Sequence, residues 1–139
     1  MRAISIKQPW ATLIVKGIKN VENRSWTSAY RGELVIHASK SGTDADMEAG
    51  RRLCSELGVE FPAEFPTGGF VGVVDLAGVI TTGMVSITTD HPTFKITDAR
   101  GYTEQEFGWI LENPRTIPFV AARGKLGLFI PDMTVPVGA

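Results

Sequence analysis

The sequence predicts an α+β domain in which several short strands curl into a small barrel, flanked by two or three short helices. Three observations lead to this expectation. The chain has 139 residues, which is the length of about one domain. Its 43% hydrophobic and 21% charged content is typical of a compact globule and not of a disordered chain. Fifteen glycines and eight prolines indicate many turns and therefore many strands, so we expect one domain over residues 1–139.

The first elements are predicted to be a strand, a short helix and a polar segment. Residues 3–6 alternate as a strand does. Pro9 suits the first turn of a helix over residues 9–16, which we expect to end at Gly17. The segment over residues 19–26 is too polar for a core strand, so it is expected to line a cleft.

The next elements are predicted to be a strand, a longer helix and a long central strand. Residues 32–38 alternate in the strand manner. Thr43 is expected to cap a helix that ends at Gly58, with acidic residues in its first turn. The buried stripe of this helix is expected to contain Met47, Cys54 and Leu57. Residues 59–69 hold prolines and glycines and are predicted to be irregular, whereas residues 69–80 predict a long central strand.

The last third of the chain carries weaker signals. Thr103 and Glu106 have capping-box spacing, which predicts a single helical turn. Residues 107–111 and residues 126–130 are predicted to be the last strands. His91 lies in a polar loop and receives no role.

Composition excludes several classes of site. Cys54 is the single cysteine, which excludes an internal disulfide framework and a multi-cysteine zinc site. Two histidines and the absence of a glycine-rich phosphate loop predict no metal and no cofactor. No apolar run reaches the roughly 18 residues of a membrane span, and no export signal is recognised. A cytoplasmic location with no membrane partner is therefore expected.

Charge is distributed unevenly along the chain although its net value is −1. The first 40 residues carry seven basic and two acidic side chains, a balance of +5, and the remaining residues carry −6. This asymmetry indicates an anionic partner on one face. The alternative is that both parts interleave on one surface. No oligomeric state is predicted.

The sharpest candidate site contains Lys19, Glu22 and Arg24 within six residues. Glu22 and Arg24 share one face of an extended segment, but Lys19 begins on the other, so a turn or bulge is needed to unite them. The arginine could clamp a phosphate, the glutamate could accept a proton or hold the arginine, and the lysine could bind an anion or act as a base. The alternative is a solvated, self-paired charged stretch.

A second candidate follows the strand over residues 32–38. His37 could be a general acid or base, or a structural histidine, and Ser39 with Lys40 could bind phosphate oxygens. Tryptophans flank the charged segment at Trp10 and Trp26, and Trp109 is the third. Rings beside basic side chains suit single-stranded nucleic acids, although core packing explains any one tryptophan equally well.

With these segments the chain resembles the ASCH (activating-signal-cointegrator homology) domain of the PUA-like superfamily. The resemblance covers nearly the whole chain, and its most specific motif is G-x-K-x-x-E-x-R after a Q-P-W helix start. It rests on residues 4–10, 17–26, 30–40, 72–75, 108–114 and 124–129.

The resemblance implies a PUA-like β-barrel with a cleft at its mouth into which the Lys-Glu-Arg segment projects. It also implies RNA, another single-stranded nucleic acid or a nucleotide-like small molecule as the partner. The residues expected to contact this ligand are Gln8, Trp10, Lys19, Arg24, Trp26, His37, Ser39 and Lys40.

Two other functions remain open. Some ASCH-like proteins resemble ribonucleases and others resemble amidohydrolases that act on acylated cytidine. In a hydrolase, Lys19 and Glu22 would transfer protons and Arg24 would stabilise negative charge. The amidohydrolase pattern has a threonine where this chain has Glu22, and Asp75 could be a second carboxylate or a structural group. The third reading is a small-metabolite or protein-interaction module.

Overall fold

A computed structural model describes residues 1–82, 87–89, 94, 98–103, 107–132 and 134–135. His91 and Glu106, named above, lie outside the described residues. The elements in chain order are β1 (Arg2–Gln8), α1 (Trp10–Val15), β2 (Val21–Arg24), β3 (Gly32–Ser41), α2 (Asp44–Leu57), β4 (Gly69–Thr82), β5 (Ile87–Thr89) and β6 (Phe107–Ala121). Neither described helix has the length and apolar character needed to cross a membrane.

The strands form one curled sheet in the order β1-β3-β4-β6-β2, with β5 paired to β4. β1 and β3 are parallel and the other pairs are antiparallel. In the part of the chain described here the edge strands β1 and β2 do not pair, so the barrel stays open along a seam. The Arg24 side chain crosses this seam and donates a hydrogen bond to the Ser5 carbonyl at 2.8 Å. The α+β fold class with a barrel-like sheet is confirmed.

Both faces of the sheet are covered. One face packs Ile4, Leu34 and Ile36 against residues of α1. The opposite face buries Val35 and Phe70 beneath the segment that follows β6. Because successive side chains of a strand point to opposite faces, β1 and β3 contribute to both clusters.

Both helices begin and end as their sequences indicate, with one difference of position. α1 begins at Trp10, so Pro9 is its N-cap and not its first helical residue. The chain turns after α1 at Gly17, whose φ of 77° suits glycine. α2 has the capping box of Thr43 and Asp46, and it ends at Gly58 with φ 69°. Cys54 is buried as expected, and burial raises the pKa of its thiol.

Three sequence expectations are wrong. Leu57 is 41% exposed and is not part of the buried stripe of α2. Residues 126–130 form no strand, because only a single bridge joins Phe129 to Ala3. β6 continues to Ala121 instead of ending at residue 111. Its later part pairs with β4 alone in the described structure, and an edge strand tolerates the two prolines found there.

Candidate functional site

A cleft of about 730 Å³ lies at the seam of the sheet. β1 and β2 contribute its two edges, and the starts of α1 and α2 lie beside them. Its lining residues are Ser5, Ile6, Lys7, Trp10, Lys19, Glu22, Asn23, Arg24, Ser39, Lys40, Asp46, Ala49, Leu53, Gly101, Tyr102 and Thr103. The open seam of the barrel therefore creates a concave site between the two edge strands.

A chain of charged contacts runs along one side of the cleft. The Lys19 ammonium lies 3.4 Å from Glu22 Oε1 and also donates to the Val21 carbonyl. Glu22 Oε2 lies 2.9 Å from an Arg24 guanidinium nitrogen. That nitrogen also reaches Ser5 across the seam. The three motif side chains therefore converge, which the sequence allowed only if the backbone turned before β2.

The turn that unites them follows α1. The backbone N–H groups of Ile18 and Lys19 both donate to the Leu13 carbonyl, at 2.9 and 3.1 Å. This arrangement reverses the chain direction and turns Lys19 toward the face that Glu22 and Arg24 share. Gly17, the first residue of the motif, supplies the backbone conformation that the turn requires.

The charged chain is largely removed from solvent. Lys19 is 4% exposed and Glu22 is 8% exposed. Buried charges need partners, and removing one partner leaves the other uncompensated. Within the described structure Arg24 Nε is buried and has no hydrogen-bond acceptor. This N–H is a donor that a water molecule or a ligand oxygen in the cleft could satisfy.

Trp10 and Asp46 form a second group of contacts in the cleft lining. The Trp10 indole N–H donates to Asp46 Oδ1 at 3.3 Å, and the Lys7 ammonium lies 3.0 Å from Asp46 Oδ2. Burial by itself would raise the pKa of Asp46, but hydrogen bonds from Thr43, Lys7 and Trp10 outweigh it and lower the pKa to about 2. The Lys19 ammonium lies 5.6 Å from the Trp10 ring centroid, within cation–π range.

Ser39 and Lys40 stand at the rim of the cleft, where β3 ends. Both are exposed. The contacts found in the described residues include no ion pair for Lys40, whereas Lys7, Lys19 and Arg24 each have a carboxylate partner. Lys40 is therefore the cleft cation whose charge is offset by no described carboxylate.

Three residues that were expected to contact a ligand are not part of the cleft lining. Gln8 is fully buried; its side chain accepts from the Thr12 N–H at 2.9 Å and donates to the Pro66 carbonyl at 2.8 Å. Its amide therefore supports the start of α1. The sequence showed a polar residue beside a helix start but could not show that both of its amide groups are used internally.

Trp26 and His37 also have structural places. Trp26 packs edge-to-face on Trp109, with ring centroids 4.8 Å apart, and its carbonyl accepts from the Trp109 indole. His37 is 2% exposed, and its Nε2 donates to the Ala122 carbonyl at 2.7 Å. Because a carbonyl only accepts, Nε2 carries the proton. His37 therefore joins β3 to the segment after β6, on the sheet face away from the charged chain.

Asp75 belongs to a separate polar cluster. The Arg115 guanidinium bridges it to Glu33, at 3.3 and 3.0 Å. Asp75 is absent from the cleft lining. Its contacts with Arg115 are those expected if Asp75 is a structural group and not a second carboxylate of the site. Among the residues that the structure describes, no group of three His, Cys, Asp or Glu side chains could hold a metal ion.

Several cleft residues were not singled out from the sequence. Asn23 lines the cleft, and so do Gly101, Tyr102 and Thr103, which form one wall of it. Asn20 is not in the lining but contacts the same segment at Asp98 and Arg100. The asparagines were visible inside the motif. Their partners lie about 80 residues further along the chain, and no local pattern reveals so distant a contact.

Comparisons with known proteins identify similar chains. The family model for the ASCH domain matches residues 4–120. "Activating signal cointegrator 1" from Homo sapiens and the mouse protein of the same name are each 43% identical over 77 residues. These matches cover 52% of this chain and 13% of each relative, so the chain spans only a small part of their length. A solved mutant of ZmASCH from Zymomonas mobilis is 15% identical, with a TM-score of 0.49, over 86% of this chain and 74% of that one.

Proposed function

This chain belongs to the ASCH domain family, and from that premise we propose that it binds single-stranded RNA in the cleft at the seam of the sheet. The observation that carries the proposal is the composition of the cleft lining. Four cations and two carboxylates line it, a surplus of two positive charges, and aromatic rings stand beside them. Cationic grooves with aromatic rings are the means by which proteins hold single strands.

The polar groups of the cleft divide into a rim and an interior. At the rim, Ser39 and Lys40 supply a hydroxyl and an ammonium that can reach a phosphate from solvent. In the interior, the buried Nε of Arg24 offers a further donor. Lys19 and Glu22 hold this guanidinium in place, so their role in binding is to orient Arg24. A phosphate oxygen that reached the Arg24 guanidinium would gain a charge-assisted hydrogen bond.

The size of the cleft favours a single strand over a duplex. Its volume of about 730 Å³ lies within the range of about 300–1,000 Å³ that is usual for small-molecule pockets. A site of this size accepts one or a few nucleotides. A duplex needs a broad basic surface, and the net charge of −1 does not supply one.

Fluorescence anisotropy with a labelled single-stranded RNA tests the proposal. The strand should have about eight nucleotides, within the site sizes of about 4–16 seen for small single-strand-binding folds. Lys40→Ala should weaken binding about threefold to tenfold, since it removes one phosphate contact. Lys16→Ala is the matched control, because Lys16 is exposed and lies outside the cleft. Absence of binding at low salt, or an equal effect of both variants, would contradict the proposal.

One observation favours a second function, hydrolysis of RNA or of an acylated nucleoside. The Glu22 carboxylate is 8% exposed and lies between two cations at the cleft. Carboxylates so placed serve as acids and bases in hydrolases. Turnover of RNA or acetylcytidine that disappears in Glu22→Gln would establish this function. RNA that is bound but remains intact would exclude hydrolysis of that substrate and retain the binding function.

A further inference from the structure

The wall segment, residues 98–103, is attached to the signature motif by two asparagine side chains. Asn20 makes the first attachment. Its amide nitrogen donates to the Asp98 carbonyl at 3.0 Å, and its amide oxygen accepts from the Arg100 N–H at 2.7 Å. Since a carbonyl can only accept and an N–H can only donate, these partners determine the orientation of the amide.

Asn23 repeats the arrangement three residues later. Its amide nitrogen donates to the Gly101 carbonyl at 2.7 Å, and its amide oxygen accepts from the Thr103 N–H at 2.7 Å. Each asparagine therefore makes two hydrogen bonds to the backbone of the wall segment, one to a carbonyl and one to an N–H. A neighbouring strand would make the same pair of bonds. Alanine can make neither contact, and aspartate lacks the N–H that the carbonyl requires.

Further contacts hold the wall segment beside the Lys19 side chain. The Arg100 guanidinium donates to the carbonyls of Ile18 and Gly17 at 3.0 and 3.1 Å. A Cβ added at Gly101 would lie only 3.0 Å from Lys19 Cε, and Gly101 has φ +82°. Glycine therefore allows the wall segment to cover the aliphatic part of Lys19, which contributes to the low exposure of that buried ammonium.

The attached wall segment places Tyr102 in the cleft lining. The Tyr102 ring lies over Gly108 of β6, where a Cβ would be only 2.7 Å from ring carbons Cδ1 and Cε1. In the described lining the aromatic rings are those of Trp10 and Tyr102. The Trp10 ring contacts the Lys19 ammonium, and its indole N–H donates to Asp46. Tyr102 is the aromatic ring that the wall segment contributes to the cleft lining.

We propose that the wall segment positions the ligand: Asn20 and Asn23 fix its backbone, and Tyr102 stacks on a base of the bound strand. This inference rests on the proposed RNA-binding function. It assigns the base contact to the wall segment and the phosphate contacts to Ser39, Lys40 and Arg24. The asparagines of the motif are then positioning residues, since they act on the ligand through Tyr102.

Two RNA strands of equal length test the role of Tyr102, one with all its bases and one abasic at its central positions. Tyr102→Ala should weaken binding of the first strand about tenfold, within the stacking contribution of about 1–3 kcal/mol per base. It should leave the affinity for the abasic strand unchanged within about twofold. Tyr102→Phe keeps the ring and should therefore keep the preference for the strand that has all its bases. Phe119→Ala is the matched control, because it removes an exposed ring outside the cleft.

The positioning role is tested without relying on affinity alone. Asn23→Ala should increase the hydrogen-exchange rate of the Thr103 amide in the free protein, and Asn20→Ala should do so for Arg100. Asn23→Ala should also bind the strand with all its bases no more tightly than the abasic strand. In the double variant, Tyr102→Ala should then weaken binding little further. Should either single variant fail to fold, the other one and the tyrosine variants still decide the question.

The outcomes separate the two proposals. If the wild type binds neither strand, the proposed RNA-binding function fails, and the ligand role of Tyr102 fails with it. If the wild type binds RNA but Tyr102→Ala weakens both strands equally, RNA binding stands and the stacking role is overturned. If the Thr103 amide exchanges at the same rate in Asn23→Ala as in the wild type, the positioning role of Asn23 is overturned.

Discussion

Arg24 joins parts of the molecule that the backbone leaves apart. Its guanidinium reaches Ser5 on the first strand and Glu22 on its own strand, and β1 and β2 are the two edges of the sheet. One planar cation therefore bridges the two edges of the open seam and forms part of the cleft. A guanidinium suits this place because its donors point in fixed directions toward several acceptors at once.

Arg24→Lys should lower the free energy of unfolding by about 1–2 kcal/mol, because one ammonium cannot reproduce the geometry of the guanidinium contacts. Urea denaturation measures this change. Arg31→Lys is the matched control, since Arg31 is exposed, and its effect should stay within about 0.5 kcal/mol. Equal stability of Arg24→Lys and the wild type would show that the seam contact contributes nothing.

Asp46 makes the stability of the fold dependent on pH. Its carboxylate accepts from the Thr43 N–H in the capping box of α2 and also binds Lys7 and Trp10. These contacts lower its pKa from 3.8 to about 2. A lowered pKa means that its contribution is complete above about pH 4 and is lost as the pH falls toward about 2.

Asp46→Asn should therefore be less stable than the wild type by about 1 kcal/mol at pH 7, because it removes the negative charge that binds Lys7 and accepts hydrogen bonds from Thr43 and Trp10. The difference should shrink as the pH falls from about 4 toward about 2, where the wild-type carboxylate becomes protonated. Denaturation series at several pH values measure it. A difference that is constant over this range would contradict the assigned contacts of Asp46.

The sequence predicted part of the site because the relevant signal was local. Lys19, Glu22 and Arg24 lie within six residues, and the need for a turn was deducible from strand geometry. The two asparagines of the same motif were missed because their partners are about 80 residues away. The internal contacts of Gln8, Trp26 and His37 were not foreseen, because residue type does not reveal which face of an element is covered.

The helix α1 lies close to the sheet because β4 has a glycine at the point of contact. A Cβ at Gly72 would lie 2.5 Å from Val15 Cγ1 and 2.5 Å from the Arg115 carbonyl oxygen. α1 must keep this position for its following turn to present Lys19 to the cleft. The packing of one helix therefore supports the geometry of the charged motif.

Gly72→Ala should destabilise the protein by about 1–3 kcal/mol, the usual cost of overpacking a filled core. Thermal or urea denaturation measures it. Leu126→Ala is the control, because Leu126 is 99% exposed and its truncation should change stability by less than about 0.5 kcal/mol. Full stability of Gly72→Ala would mean that α1 can move away from the sheet without cost.

Individual elements were predictable where one periodicity dominated. The central strand and the capped α2 follow their patterns closely. Residues 126–130 have apolar character without forming a strand, because their contact with β1 is a single bridge and Leu126 points to solvent. The later part of β6 was not predicted because its prolines argue against a strand unless one edge is known to be unpaired.

The molecule as a whole is nearly neutral, yet its cleft is not. The charged groups that line it leave a surplus of two positive charges, whereas the full chain carries −1. The amino-terminal excess of positive charge was visible in the sequence. Its location was not, because only the curl of the sheet brings Lys7, Arg24 and Lys40 to one place.

This local surplus predicts a shallow salt dependence for RNA binding. Each phosphate contact on a single strand contributes a slope of about −0.7 in a plot of log K against log salt. Two contacts give about −1.4, and Lys40→Ala should reduce the magnitude by about 0.7. Anisotropy titrations at several salt concentrations measure the slope. A slope several times steeper would indicate a broad basic surface in place of the cleft.

A nuclear magnetic resonance titration of the labelled protein with single-stranded RNA locates the binding site itself. We expect the amide signals of Ser39, Lys40, Tyr102 and Thr103 to shift with added RNA, and those of Glu33 and Asp75, which lie outside the cleft lining, to stay in place. Shifts confined to residues outside the cleft, or no shifts at all, would contradict RNA binding at the seam of the sheet.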